Sequence, residues 1–158
     1  MKLKKFIKLI LSILLCQTAG LIGSLFTFSA IPTWYANLNK PFFSPPNWLF
    51  APAWILLYTL MGISFFLIWE KRTKKNPQNY PIRLFLVHLG LNSLWSIIFF
   101  GLKNPALAFV EIGVLWLIIL EVIKVFRKID SRTSILLYPY LAWVSFASLL
   151  NLTIWILN

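Results

Sequence analysis

Five long apolar segments dominate the sequence and constrain its fold more than any motif does. They cover roughly residues 6–31, 48–69, 82–102, 106–126 and 134–157. A helix that spans a bilayer needs about 20 mostly apolar residues, and each segment reaches that length. With 59% hydrophobic and only 12% charged residues in 158, a soluble domain could not bury this much apolar surface. The sequence therefore predicts an all-α integral membrane protein, a bundle of five transmembrane helices that forms one domain, 1–158.

Basic residues are divided unevenly between the two sides that these segments define. Thirteen of the fifteen lie before the first segment or around the second-to-third and fourth-to-fifth connections: Lys2, Lys4, Lys5, Lys8, Lys71, Arg72, Lys74, Lys75, Arg83, Lys124, Arg127, Lys128 and Arg132. Lys40 and Lys103 lie on the other side. The positive-inside rule then predicts a cytoplasmic N-terminus and an outside C-terminus, in a membrane that we expect to be a bacterial inner membrane. The net charge of +11 thus indicates topology and contact with anionic lipid, not nucleic-acid binding.

The connection between the first two segments, residues 33–46, is long but not basic. It belongs to the stretch WYANLNKPFFSPPNWLFAPAW (34–54), which contains three tryptophans and four prolines. One interpretation is a belt of aromatic side chains at the membrane–water interface. The other is a stiff lid over a cavity between the helices, because prolines reduce the entropy lost when a loop is held in one shape.

Acidic side chains inside membrane segments are costly, so each needs a partner or a function. Glu111 has apolar neighbours and no basic residue three or four positions away. It is either a neutral acid hydrogen-bonded to another helix or part of the wall of a polar pocket. Glu70 and Glu121 lie near segment ends instead, and their spacing predicts ion pairs with Lys74 and Lys124.

Polar and aromatic residues form stripes at helical spacing on three of the segments. The third carries His88, Asn92, Trp95 and Phe99, the fifth carries Tyr140, Trp143, Ala147, Asn151 and Asn158, and the second carries Trp54 and Tyr58. Each stripe by itself is compatible with hydrogen bonding and aromatic packing between helices. Together they predict a cavity with broad flat walls and few polar anchors, which suits a large, planar, mostly apolar ligand.

The sequence contains none of the common catalytic or metal-binding patterns. It has one histidine and one cysteine, and it lacks a CxxC pair, a glycine-rich phosphate loop and closely spaced carboxylates. His88 alone could ligate a haem iron, but a single histidine on a membrane helix is more often a packed, hydrogen-bonded residue. We therefore predict no metal site and no bound cofactor.

Three segments carry a resemblance to a known family. WYxxLxKPxFxPPxWxFxPxW (34–54), LNxxWSxxFF (91–100) and PYxxWxxFAxxLNxxxWxLN (139–158) resemble signature segments of the TspO/MBR family, the translocator proteins or peripheral-type benzodiazepine receptors. The resemblance implies a five-helix bundle, usually a homodimer, with a cavity beneath its first loop. It further implies binding of porphyrins and other tetrapyrroles and, in some members, of sterols.

The resemblance also assigns roles to individual residues. Trp54 and Trp143 match the tryptophans implicated in a proposed light-dependent breakdown of porphyrin, which makes them the candidate catalytic pair. Asn92, Trp95, Ala147 and Asn151 match pocket-side positions, and Glu111 stands where members often have an acidic residue. His88 replaces a glutamine that is usual in the family. No lysine or arginine follows Asn151, so the family's animal-type sterol motif cannot form here.

The leading hypothesis is a membrane receptor or carrier for tetrapyrroles, acting as a stress- or light-linked sensor or translocator. The alternatives are light-dependent, enzyme-like degradation of porphyrin and a small secondary transporter. The predicted ligand-binding residues are Trp34, Trp54, Tyr58, His88, Asn92, Trp95, Glu111, Trp143, Ala147 and Asn151. We also expect a homodimer that associates through the small residues Ala19, Gly20, Gly23 and Ser24 of the first segment.

Overall fold

A computed structural model describes residues 2–158, and it contains five long helices. They are α1 (Lys2–Ala30), α2 (Asn47–Glu70), α3 (Asn79–Ser96), α4 (Pro105–Ile129) and α5 (Arg132–Leu157). Each is long and apolar enough to cross a membrane, α3 together with a π-helical turn that continues it to Gly101. No strand occurs in the described chain. The predicted all-α membrane fold is therefore confirmed, and the helices begin and end within a few residues of the predicted segments.

Proline and asparagine define where α2 and α4 begin. Pro46 has an extended backbone and is the N-cap residue that directly precedes Asn47, the first residue of α2. The Asn104 side chain accepts a hydrogen bond of 3.0 Å from the Leu107 amide, and Pro105 occupies the first turn of α4. An N-cap side chain and a proline both suit the unpaired N–H groups of a helix start.

The end of α3 widens into a π turn over Ile97–Gly101. Its defining bond runs from the Leu102 amide to the Ile97 carbonyl, at 2.8 Å. The turn carries Phe99 and Phe100, and both of their rings pack against the Trp34 ring. The π turn thus packs the end of α3 against the loop that precedes α2.

The helices form a closed ring in the order α1, α2, α5, α4, α3 and back to α1. We call the end that carries residues 31–46 the loop end and the opposite end, with residues 71–78, the basic end. Toward the basic end the bundle is filled by a stack of rings, in which Phe85 lies 4.8 Å from Phe65 and 5.5 Å from Phe126 between centroids. Toward the loop end the ring of helices encloses a cavity.

Ion pairs at the basic end join elements that are distant in the sequence. Glu70 pairs with Lys8 at 2.9 Å and with Lys5 at 3.3 Å, both on α1. The predicted Glu70–Lys74 pair is therefore wrong, because α1 brings two ammonium groups to Glu70 from across the helix interface. The Glu121–Lys124 pair forms as predicted, at 3.5 Å.

Asp130, between α4 and α5, is held by two cations. Its carboxylate lies 2.7 Å from the Arg132 guanidinium and 4.0 Å from the Lys71 ammonium. The hydrogen bond from Arg132 lowers the pKa of Asp130 to about 2. The Lys71–Asp130 contact links the end of α2 to the start of α5.

The small residues of α1 pack inside the subunit. Ala19 and Gly23 are buried. A Cβ added at Gly23 would lie 3.0 Å from the Ser96 hydroxyl, and one added at Gly20 would collide with the Tyr58 ring. Much of the face predicted to form a dimer is thus occupied by α2 and α3, while Ser24 is exposed; the homodimer and its interface stay predictions.

Candidate ligand-binding cavity

The cavity at the loop end has a volume of about 340 Å³, within the usual range for ligand pockets. Its walls come from α1, α2, the end of α3 and α5, with Tyr35 closing it from the loop. Six of the predicted ligand-binding residues line it: Trp54, Tyr58, Trp95, Trp143, Ala147 and Asn151. They come from three helices, so the fold brings these distant residues to one space.

Two pairs of stacked rings make the walls flat. Trp54 stacks on Tyr58 with centroids 5.3 Å apart and planes inclined by 27°. Trp95 stacks on Phe99 with centroids 5.0 Å apart and planes inclined by 22°. Trp143 stands nearly perpendicular to Trp54, at 83° and 6.3 Å. A planar ligand could stack on one wall and meet the edge of another ring, which are the preferred aromatic geometries.

Asn151 fixes the orientation of one wall. Its side-chain oxygen accepts a hydrogen bond of 3.0 Å from the Trp95 indole, and its amide donates one of 2.7 Å to the Pro105 carbonyl. One side chain therefore ties α5 to both α3 and α4. Asn151 thus lines the cavity and also bonds helices together. The stripe on α5 can therefore be both a cavity wall and a helix–helix contact.

A hydrogen-bonded chain runs from the cavity into the bundle. The Tyr58 hydroxyl donates to the Asn92 side-chain oxygen, and the Asn92 amide donates to the Tyr140 hydroxyl at 2.9 Å. The Tyr140 oxygen and His88 Nε2 are 3.0 Å apart, and His88 Nδ1 lies 3.1 Å from the Phe85 carbonyl. A carbonyl can only accept, so in the neutral imidazole Nδ1 carries the proton and Tyr140 donates to Nε2.

Two predicted ligand-binding residues of this chain, His88 and Asn92, do not line the cavity. His88 is fully buried and Asn92 nearly so. His88 contacts the Phe85 carbonyl and Tyr140 through its two ring nitrogens, the arrangement of a packed histidine. Asn92 reaches the cavity only through Tyr58. Their predicted role in ligand binding would therefore be indirect, through the position of the Tyr58 ring.

Glu111 and Trp34 also lie outside the cavity wall. Glu111 is on α4, the one helix that contributes no lining residue, and it is 8% exposed. Neither of its carboxyl oxygens has a hydrogen-bond partner in residues 2–158, so the expected bond to another helix does not form. Trp34 packs edge-on against Phe99 and Phe100, with centroids at 5.5 and 6.5 Å. Both residues stay predicted ligand contacts, although neither lines the cavity.

The loop above the cavity is held by hydrogen bonds to main-chain atoms. The Lys40 ammonium donates to the carbonyls of Tyr35 at 2.8 Å and Leu38 at 3.1 Å. The Asn39 amide and carbonyl both bond the Asn158 side chain at 3.0 Å, which attaches the loop to the end of α5. Within the loop, burial of its own side chain raises the pKa of Tyr35. These bonds hold the loop in a defined shape, and Tyr35 is the residue of 33–46 that lines the cavity; the role of the loop as a lid stays a prediction.

The structure adds a wall that the sequence analysis did not assign to the cavity. Gln17, Gly20, Ser24 and Thr27 of α1 line it. Ser24 and, on α2, Ile55 are exposed, so the cavity reaches the outer surface of the bundle between α1 and α2. The signal was present in the sequence, because Gln17, Ser24 and Thr27 are polar residues at helical spacing within an apolar helix.

Comparisons with known proteins show which family the sequence matches. Residues 12–156 match the model of the TspO/MBR family. The chain is similar to the tryptophan-rich protein TspO of Archaeoglobus fulgidus, with 46% identity over 96% of this chain and 97% of that protein. It is 34% identical to the translocator protein of Ovis aries, over 86% and 81% of the two chains. The tryptophan-rich sensory protein of Cereibacter sphaeroides is also 34% identical, over 75% and 72%.

Proposed function

Because the chain belongs to the TspO/MBR family of multi-pass membrane proteins, we propose that it is a receptor or carrier for porphyrins and related tetrapyrroles. The ligand would lie in the cavity at the loop end, between α1, α2, α3 and α5. Relatives are named as a translocator protein and a sensory protein, which supports a role in recognition or passage of a ligand.

The observation that carries this proposal is the pair of flat aromatic walls. Trp54 with Tyr58 and Trp95 with Phe99 offer stacked surfaces to a planar macrocycle. No charged side chain of the described chain lines the cavity. Burying an unpaired carboxylate there would be costly, so the acidic groups of a porphyrin would point toward the loop end, where Tyr35 and Asn47 line the cavity at the limit of the membrane-spanning segments. The ring system itself would occupy the apolar interior.

Light-dependent degradation of the bound porphyrin is a second candidate activity. The specific observation in its favour is that Trp54 and Trp143 both line the cavity with ring centroids 6.3 Å apart. A ligand stacked on Trp54 would also touch the edge of Trp143. In this reading the two tryptophans take part in the reaction in addition to holding the ligand.

A titration with protoporphyrin in darkness, followed by quenching of tryptophan fluorescence, tests binding. We expect Trp143→Phe to retain most of the affinity, because a stacking ring remains. Trp143→Ala should lose a factor of about ten or more, which is about 1.4 kcal/mol. Trp155→Ala is the matched control, because Trp155 is exposed and packs on Phe109 away from the cavity. Equal affinity in the wild type and Trp143→Ala would overturn the proposed binding site.

The same variants separate the receptor from the degrading enzyme. If Trp143 takes part in the reaction, Trp143→Phe should bind porphyrin normally and yet give no new product spectrum under illumination. If the protein is only a receptor, the wild type should give no protein-dependent product in light either. Absorbance spectra in light and in darkness, with and without protein, distinguish these results.

A further inference from the structure

A second hollow lies at the basic end, between α1 and the connection from α2 to α3. It has a volume of about 350 Å³ and is lined by Lys8, Trp69, Arg72, Thr73, Lys74 and Pro77. Three of these six side chains are cations. We call this hollow the basic groove. It is separate from the cavity at the loop end, and no lining residue is shared between them.

The connection that forms one side of the groove has a folded shape. The Thr73 amide donates to the Asn76 carbonyl at 2.9 Å, and the Asn76 amide donates to the Thr73 hydroxyl at 3.0 Å. Gln78 then adopts a left-handed backbone with φ of 51° where the chain turns into α3. These reciprocal bonds hold the turn that carries Arg72 and Lys74. The two cations are therefore presented by a preformed turn.

The charge of the groove is only partly neutralised by the protein itself. Lys8 is paired with Glu70 at 2.9 Å, but Glu70 is shared with Lys5. Asp130, the other acidic residue near α2 at the basic end, is already paired with Arg132 and Lys71. Within residues 2–158, Arg72 and Lys74 take part in no ion pair. The groove thus keeps a positive charge that an anion could neutralise.

We propose that the basic groove binds a phosphate-bearing anion, held by Arg72 and Lys74 with Lys8 at its edge. The planar guanidinium of arginine matches two phosphate oxygens, and lysine adds a point charge. Basic pockets beside transmembrane helices suit the headgroups of anionic lipids. Trp69 supplies an indole wall, with the Lys8 ammonium 5.7 Å from its ring. Indoles favour the level of lipid headgroups.

The ligand could come from the membrane or from solution, and the two sources share this phosphate chemistry. An anionic phospholipid would place its headgroup in the groove and its acyl chains along α1, which exposes Ile7, Leu11 and Leu14 on its surface. A soluble phosphate would use the cations alone. The test below has one arm for each source.

The experiment measures binding to the purified full-length protein in a neutral detergent. Native mass spectrometry counts bound phosphatidylglycerol, with zwitterionic phosphatidylcholine as the reference lipid, and a thermal-shift titration with inorganic phosphate forms the second arm. The test variant is Arg72→Gln/Lys74→Gln. The control is Arg127→Gln/Lys128→Gln, which removes the same charge from the exposed last turn of α4. Circular dichroism checks that both variants keep the helical content of the wild type.

We expect phosphatidylglycerol to bind in preference to phosphatidylcholine and the test variant to lose about tenfold in that affinity. The control variant should keep it. A thermal shift with inorganic phosphate that is lost only in the test variant would support the site and a soluble ligand. Specific binding of phosphatidylglycerol without any thermal shift from phosphate would support the site and a lipid ligand. Equal losses in both variants would mean unspecific surface charge and would overturn the proposal, as would no binding by either arm.

Discussion

The loop-end cavity and the basic groove have nearly equal volumes, about 340 and about 350 Å³, but opposite linings. The cavity has aromatic walls and no charged side chain among the described residues, whereas half of the residues that line the groove are cations. Volume therefore does not distinguish the two hollows, and their side chains do. The difference predicts a planar apolar ligand at one end and a compact anion at the other.

The surroundings of the two hollows differ as well. The cavity lies within the apolar length of the helices and is bounded by stacked rings such as Trp95 and Phe99. The groove lies where α2 ends and the chain becomes polar. Between them the bundle is filled by the Phe65, Phe85 and Phe126 stack. This packed layer separates the two hollows, so each should respond to substitutions without affecting the other.

The largest effect should follow from filling the cavity with Ala147→Phe. Ala147 lines the cavity, and a phenyl ring there would occupy the space of the ligand. We expect porphyrin affinity to fall about a hundredfold, which is about 2.7 kcal/mol, with lipid binding at the basic groove unchanged.

Val114→Phe is the control, because Val114 is exposed on α4 and adds its ring outside the bundle. Fluorescence titration measures both variants. If Ala147→Phe bound porphyrin as well as Val114→Phe does, the ligand would lie elsewhere. If it also weakened lipid binding, the two hollows would not be independent.

An intermediate effect is expected from Gly62→Ala in the packed part of the bundle. A Cβ at Gly62 would lie 2.6 Å from the Ile13 Cα, so α1 and α2 would have to separate. Overpacking of this kind costs about 1–3 kcal/mol. The thermal midpoint in detergent should therefore fall.

Gly113→Ala is the matched control, because a Cβ at Gly113 meets nothing within 4 Å. There only the helix propensity changes, and alanine is favoured over glycine by up to about 1 kcal/mol. The two alanine substitutions should thus shift the midpoint in opposite directions. A midpoint that rises in both variants would show that the α1–α2 contact is looser than described.

The smallest effect concerns acid at the basic end. The hydrogen bond from Arg132 lowers the pKa of Asp130 to about 2. Folding therefore favours the ionised form of Asp130, and the ionised form in turn stabilises the folded protein. The stabilisation is complete above the ordinary aspartate pKa of about 3.9 and is lost as the pH falls toward 2. Because Arg132 is largely exposed, screening should limit it to about 1 kcal/mol or less.

Thermal midpoints measured between pH 5 and pH 2 check this prediction. Asp130→Asn should lower the midpoint at pH 5 and reduce its dependence on pH over that interval. Porphyrin binding at pH 5 should be the same in both proteins, since Asp130 lies at the end opposite the cavity. An identical pH dependence in wild type and variant would assign the acid sensitivity to other groups.

The sequence predicted a large part of the cavity wall. Trp54, Trp95, Trp143 and Ala147 were selected from stripes at helical spacing and from the family resemblance, and all four line the cavity. These predictions succeed because residues three or four apart share a helix face whatever the helix packs against. Their predicted role in binding a ligand stays a prediction.

The partners of single polar residues were not predictable in the same way. Glu70 binds Lys5 and Lys8 across a helix interface instead of Lys74 on its own side of the chain. Glu111 was expected to bond another helix or line a pocket, and it does neither within the described chain. Such outcomes depend on which helix lies beside which, a property that spacing along one helix cannot supply.

The membrane environment, the number of helices and the charge difference between the two ends could all be predicted from the sequence. Each of these follows from local composition, because about 20 apolar residues suffice to define a membrane span. That α1 completes the cavity while α4 contributes no lining residue follows from how the helices pack, and it could not be predicted from the sequence. The order of the helices around the ring, and the rotation of each helix about its axis, are set by close packing between segments that are distant in the sequence. Because Gly62 has no side chain, Ile13 of α1 can pack directly against α2, and Gly20 leaves room for the ring of Tyr58 in the same way.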